Sequence, residues 1–274
     1  MSELTAINPT TGAVRETVPV DDAATVEAHL AASAAAFADW RQSSFAERAG
    51  VLRAVGTRLR DEVETLAPLM TEEMGKPITE ARGEVAKAAW AAEHYADHAE
   101  GYLATQTLES DATRSYVQYL PLGPVLGVLP WNAPCWLGFR FLAPALMAGN
   151  TGLVKHDPHV PACARAIAGL FDESVGAPDG LVRALFLDNP SVEAVIRDDR
   201  VQAVSFTGSD RAGAIVASLA ASEIKPAVLE LGGSDPAIVL GDADLDAAAA
   251  ALTTSRIINA GQSCIAAKRI MVTA

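Results

Sequence analysis

From residue 125 onward, short β-branched apolar runs alternate with longer segments at helical spacing, and this alternation constrains the fold more than any other feature. Strands are predicted at 125–129, 152–155, 181–187, 201–206, 226–231 and 236–240, and helices at 135–148, 161–174, 191–198, 210–221 and 244–258. A strand–helix–strand rhythm of this kind builds parallel strands with crossover helices on both faces of a sheet, so the fold class is α/β. Open sheets of that type hold ligands beyond the carboxyl ends of their strands. Asn132, Lys155, Gly208 and Glu230 all fall on or just after predicted strand ends.

The residues before 125 have a different character. Residues 4–20 read as a hairpin around the turn-rich run Asn8-Pro9-Thr10-Thr11-Gly12. Asp21 or Asp22 caps a first helix, and Ser43 or Ser44 a second whose apolar positions repeat as far as a break at Gly75-Lys76-Pro77. A third long helix carries Val85, Ala89, Ala92 and Tyr95, and a strand is predicted at Ser115–Tyr119. Nothing in this stretch suggests chemistry; it reads as a helical layer wrapped on the sheet.

Composition narrows the function classes. Half of the 274 residues are hydrophobic, enough for a sizeable core, and the net charge of −13 disfavours nucleic acid and anionic membrane surfaces as partners. No stretch has the apolar length needed to span a bilayer, and the first residues lack the order of a signal peptide. Cys135, Cys163 and Cys264 are too few and too scattered for a disulfide framework, which points to a reducing cytoplasm.

Two late motifs carry the chemistry. Leu229-Glu230-Leu231-Gly232-Gly233-Ser234 puts an acid at a strand end, and Asn259-Ala260-Gly261-Gln262-Ser263-Cys264 puts a thiol in a small-residue loop 34 positions later. A nucleophile with a base to bring in water is what covalent acyl transfer requires. Taken alone, Cys264 reads equally as a packed structural cysteine, and Glu230 reads better as a strand-end acid in a salt bridge. Asn132, between Trp131 and a helix opened by Pro134, reads alone as an N-cap. Arg140 sits among Trp136, Leu137, Phe139, Phe141 and Leu142, an apolar setting in which a guanidinium needs a partner. There is neither a G-x-G-x-x-G nor a P-loop, and Phe206-Thr207-Gly208-Ser209 is on its own an ordinary strand–turn–helix whose helix start could meet a phosphate. His94 and His98 have possible metal-ligand spacing, but with no further ligand cluster nearby they read as solvated or capping residues, and no metal is assigned. His156 and His159 fall in a Pro-rich loop that could line a cofactor groove.

The run Glu230-Leu231-Gly232-Gly233-Ser234-Asp235-Pro236 with Gly261-Gln262-Ser263-Cys264 resembles the aldehyde dehydrogenase superfamily, and Lys155-His156 and Ala266-Ala267-Lys268-Arg269 resemble its succinate-semialdehyde branch. The resemblance implies a Rossmann-type parallel sheet with an N-terminal helical layer, and oxidation of an aldehyde to its acid through a cysteine thioester. It makes Cys264 the nucleophile, Glu230 the base that activates water, expected to be buried, and the amide of Asn132 an oxyanion donor. It implies cofactor contacts at Trp131, Lys155, Gly208, Ser209 and Gly213, and it assigns Arg140 to the far carboxylate of succinic semialdehyde. Two departures matter. Pro158 stands where many members carry an acid that grips the ribose, which leaves both NAD and NADP open as the cofactor, and Ile258 stands where some carry a second substrate arginine.

The same resemblance divides the chain into a cofactor-binding domain at 1–101 and 121–232, an oligomerisation hairpin at 102–120, and the start of a catalytic domain at 233–274. The family pattern continues well beyond Ala274, so the expected catalytic domain is incomplete and the expected site is a half-site. The alternatives are a cofactor-binding fragment without catalysis, or a dehydrogenase for another short aliphatic or aromatic aldehyde. A homo-oligomer is expected for the full-length form, and an uncovered apolar face for the half-built domain.

Overall fold

The computed structural model describes residues 3–273. The chain opens with an antiparallel hairpin, β1 (Glu3–Ile7) and β2 (Val14–Pro19), followed by α1 (Ala23–Trp40). Asp22 caps α1 by accepting the Thr25 N–H at 2.8 Å. A reciprocal Ser44–Glu47 capping box starts α2 (Phe45–Asp61). The single helix expected from here to Gly75 is in fact two, because the backbone leaves helical geometry at Glu62 and α3 (Val63–Met74) begins after it. The apolar repeat runs through this kink unbroken, so the sequence carries no mark of it. Gly75, left-handed at φ +75°, closes α3. The long α4 (Ile78–Tyr102) then crosses the molecule and packs on α2 and α3.

The strand expected at 115–119 is only β4 (Tyr116–Val117), paired antiparallel with β3 (Gln106–Thr107). From there the β/α rhythm holds: β5 (Pro124–Leu129), α5 (Pro134–Met147), β6 (Thr151–His156), α6 (Pro161–Gly169), β7 (Val182–Ala184), α7 (Ser191–Arg197), β8 (Ala203–Thr207), α8 (Asp210–Ser222) and β9 (Ala227–Glu230). Two elements are shorter than expected. The helix predicted at 161–174 stops at Gly169 before a one-turn 3₁₀ segment, and the strand predicted at 181–187 pairs over three residues only. The five strands form one parallel sheet in the order β7–β6–β5–β8–β9. Strand order reverses between β5 and β8, which is where such sheets open a crevice at their carboxyl ends.

Side-chain alternation along the central strands feeds two cores. Leu129 and Val154 face one holding α2 to α6, whereas Leu126 and Leu153 face the other, which holds α7, α8 and Leu30 of α1. Two helices on the first side are started by distant acids. Glu84 of α4 accepts the N–H groups of Cys135 and Trp136 at 2.9 and 3.0 Å, and Glu73 of α3 accepts those of Ala162 and Cys163 at 2.8 and 2.9 Å. Glu84 is also paired with buried Lys76.

Past the main sheet, β10 (Pro236–Val239), α9 (Leu245–Ile257) and β11 (Arg269–Val272) form a small unit with β10 and β11 parallel. β11 has no counterpart in the strands predicted from sequence. Every residue of β9 and β11 is exposed, and α9 buries none of its side chains. Among the described residues no helix is long and apolar enough to cross a membrane.

Candidate functional site

Three segments meet at the carboxyl end of β5. The 130–133 turn leads into α5, α4 presents Glu80, Gly83, Glu84 and Lys87 at helical i, i+3, i+4, i+7 spacing, and the 258–265 loop closes over them. They enclose a cleft of about 310 Å³ whose walls include Asn132, Trp136, Arg140 and Cys264. Three of the four residues expected to touch substrate are therefore brought together.

The cysteine loop is held by amides. The Asn132 Nδ2 donates to the Gln262 carbonyl at 2.8 Å, while Asn259 Nδ2 donates to the carbonyls of Asn132 at 2.7 Å and Gln262 at 3.2 Å. Glu80 accepts the backbone N–H of Asn259. These bonds support a run of left-handed residues, Asn259 (φ +56°), Ala260 (φ +52°) and Gly261 (φ +78°), two of which carry a Cβ. The three cysteines divide by their surroundings. Cys264 is exposed at the cleft, whereas burial pushes the thiols of Cys135 and Cys163 well above their ordinary range and leaves them inert.

Glu230 departs from expectation. It does not line the cleft and is half exposed, because β9 is an uncovered edge strand. Its Oε1 lies 2.6 Å from the Arg140 guanidinium. The salt-bridge reading of a strand-end acid and the partner demanded by Arg140 are thus one interaction. Arg140 both lines the cleft and holds Glu230 just outside it.

The residues expected to hold a dinucleotide lie along the neighbouring strand ends. Lys155, at the end of β6, is buried with its Nζ donating to Asn189 Oδ1 at 3.1 Å, and burial lowers its pKa below the usual lysine value. Among the described residues this ammonium forms no ion pair, an arrangement suited to a polar or anionic ligand. Ser209 caps α8 by accepting the Ala212 N–H, which sets that helix's N-terminus at the end of β8. Gly208 and Gly213 are small for an internal reason: a Cβ would come within 2.6 Å of the Phe206 ring at the first and 2.4 Å of Leu231 at the second. Trp131 packs partly buried against the core. The donor set fits a dinucleotide phosphate at α8 and its ribose at Lys155.

The histidines lie apart from this chemistry. His156 is on β6 and fully buried, rather than in a loop, with Nε2 3.2 Å from the Pro134 carbonyl. His159 is exposed and bonded to Asp157. His94 meets Tyr102 Oη at 3.0 Å on the outer face of α4.

Residues 2–274 match the aldehyde dehydrogenase family. The chain belongs to that family. As an aldehyde dehydrogenase family chain, it is 47% identical over 275 residues to the succinate-semialdehyde dehydrogenase [NADP(+)] 1 of Mycobacterium tuberculosis, covering 98% of this chain and 59% of that protein. It is 45% identical over 273 residues to the succinate-semialdehyde dehydrogenase [NADP(+)] of Mycobacterium avium, covering 98% and 58%. Among solved structures it superposes on succinic semialdehyde dehydrogenase from Streptococcus pyogenes in complex with NADP+ with a TM-score of 0.94 at 36% identity, covering 98% of this chain and 59% of that one. A succinate-semialdehyde dehydrogenase structure from Burkholderia pseudomallei matches with a TM-score of 0.94 at 35% identity, covering 99% and 56%. The chain thus spans less than two thirds of the length of these relatives.

Several residues of this site carry no motif in the sequence. Asn259 and Glu80 brace the cysteine loop, Lys76 and Glu84 set the start of α5, and Lys87 stands over the Trp136 ring with its Nζ 3.7 Å from the centroid. A cation held this way gains about 0.5–1 kcal/mol at an exposed site. The 80/83/84/87 spacing was the one available signal. It marks a single helical face but not what that face meets.

Proposed function

We propose that this chain carries the nucleophile-bearing half of an enzyme that oxidises an aldehyde to its carboxylic acid with NAD(P)+, and that succinic semialdehyde, oxidised to succinate, is its substrate. The observation that carries the reading is the exposed Cys264 thiol in one cleft with the Asn132 amide and the Arg140 guanidinium. In this reading the Cys264 thiolate attacks the aldehyde carbon. The Asn132 Nδ2 stabilises the oxyanion that forms, together with the backbone N–H of Cys264. A dinucleotide held at the ends of the sheet would supply the hydride acceptor, and loss of hydride from the carbon bonded to Cys264 would leave a thioester on that sulfur. Glu230 then takes a proton from the water that releases the acid, and to do so it must leave Arg140 and turn towards the cleft.

Lys155 and the start of α8, with Gly208, Ser209 and Gly213, are the residues we assign to the dinucleotide, with Trp131 beside them. Pro158 leaves no acid to repel a 2′-phosphate, and the NADP(+) in the names of the relatives supports NADP. Residues 1–101 and 121–232 are assigned to the cofactor-binding domain, 102–120 to an oligomerisation hairpin and 233–274 to the start of the catalytic domain. The apolar part of the cleft wall, Ala133, Trp136, Leu137, Ile258 and Ile265, also admits other short aldehydes. The exposure of β9, α9 and β11 favours a second reading, a cofactor-binding chain that does not turn over alone.

Steady reduction of NADP+ on addition of succinic semialdehyde, absent in Cys264→Ser, is the expected result. Cofactor binding without any turnover would instead establish the second reading.

A further inference from the structure

We infer that Lys87 is a second cation for the substrate's far carboxylate, a specificity-determining residue that acts with Arg140 from α4, the other helix that lines the cleft. The inference rests on the reading of Cys264 as the nucleophile of this cleft and adds a residue to it. Five charged side chains line the cleft: Lys76, Lys87 and Arg140 against Glu80 and Glu84. Lys76 and Glu84 are paired with each other, Glu84 also caps α5, and Glu80 accepts the Asn259 N–H. Arg140 is shared with Glu230. Among the described residues Lys87 alone of the three cations has no carboxylate within ion-pair distance; its ammonium is held over the Trp136 indole, one helical turn before Arg140. A long, mobile side chain is thereby fixed at the cleft wall with its charge unpaired. Ile258, lining the same cleft, supplies no charge, so Lys87 and Arg140 are the wall's cations that are not locked in a buried ion pair.

The test uses this chain and the rate at which Cys264 is alkylated, read by peptide mass. 3-Bromopropionate carries a carboxylate and 3-bromopropionamide is its neutral counterpart. In both, the thiolate forms the C–S bond and bromide leaves. Cys135 and Cys163 are buried, so one site reports. Rates are normalised to N-acetylcysteinamide, and far-UV circular dichroism confirms that each variant is folded.

The expected result is a charged-to-neutral rate ratio above one that drops about fivefold in Lys87→Gln and is retained in Lys87→Arg. A ratio that Lys87→Gln leaves unchanged overturns the role of Lys87 while leaving Cys264 as the nucleophile of the cleft. Failure of even the neutral reagent to modify Cys264 ahead of the buried cysteines overturns the reading of the cleft itself, and the role of Lys87 with it.

Discussion

Arg140 and Glu230 are joined by an ion pair of 2.6 Å that ties α5 to the edge strand of the main sheet. Both side chains are more than a third exposed, so the pair adds no more than about 1 kcal/mol to stability. In the proposed reading its importance is functional, because the residue assigned to a substrate carboxylate is the one that restrains the residue assigned as base. Arg140→Leu is therefore expected to reduce the preference for succinic semialdehyde over butanal about tenfold in kcat/KM, with little change in the denaturation midpoint. An unchanged preference would remove Arg140 from substrate recognition.

Asn132 both faces the cleft and donates to the carbonyl of Gln262, two residues before the thiol. Asn132→Ala is expected to lower kcat about 10²- to 10³-fold, with the dissociation constant for NADP+ within twofold of the parent. Hydrogen exchange of the 259–264 backbone should quicken in the same variant, since the amide also holds that loop.

Glu84 is buried, paired with Lys76, and accepts the first free N–H groups of α5. Glu84→Ala leaves a buried ammonium unpaired and is expected to cost about 3–5 kcal/mol in urea denaturation. The double variant Glu84→Ala, Lys76→Met should recover part of that loss. If it is no more stable than the single variant, capping of α5 rather than the unpaired charge dominates.

Burial pushes the His156 imidazole down from 6.5 to about 4. The folded protein keeps it neutral where the unfolded chain takes up a proton, so its effect is absent above about pH 6.5 and stability falls as pH drops from there towards 4. The loss reaches about 3 kcal/mol at the lower end. His156→Gln, which can still donate to the Pro134 carbonyl, should flatten the pH dependence of the denaturation midpoint within that window. Equal slopes in the two proteins would show that His156 does not titrate there.

Much of the fold was legible because each central strand is a compact apolar run and the first helices carry local caps or breaks, as at Asp22, Ser44 and Gly75. The kink at Glu62 was not, since apolar periodicity is preserved across it. Asn132 and Cys264 could be named from their motifs. Their support could not, because Asn259 reaches Asn132 across 127 residues and Glu84 reaches Cys135 across 51. The burial expected of Glu230 failed for a related reason. A strand-end acid looks the same in sequence whether its strand is central or at an edge.

The acids that start α5 and α6 also decide where negative charge can settle. Glu84 and Glu73 neutralise the positive poles of those two helices from within the protein. Of the three longest helices that follow strands of the main sheet, only α8 has no acid from a distant helix on its first N–H groups: Ser209 caps it, and the Asp210 carboxylate of its first turn accepts the Gly232 N–H at 3.1 Å. In the proposed reading a dinucleotide phosphate would meet the α8 end of the crevice, the one start among these three that no distant carboxylate already fills.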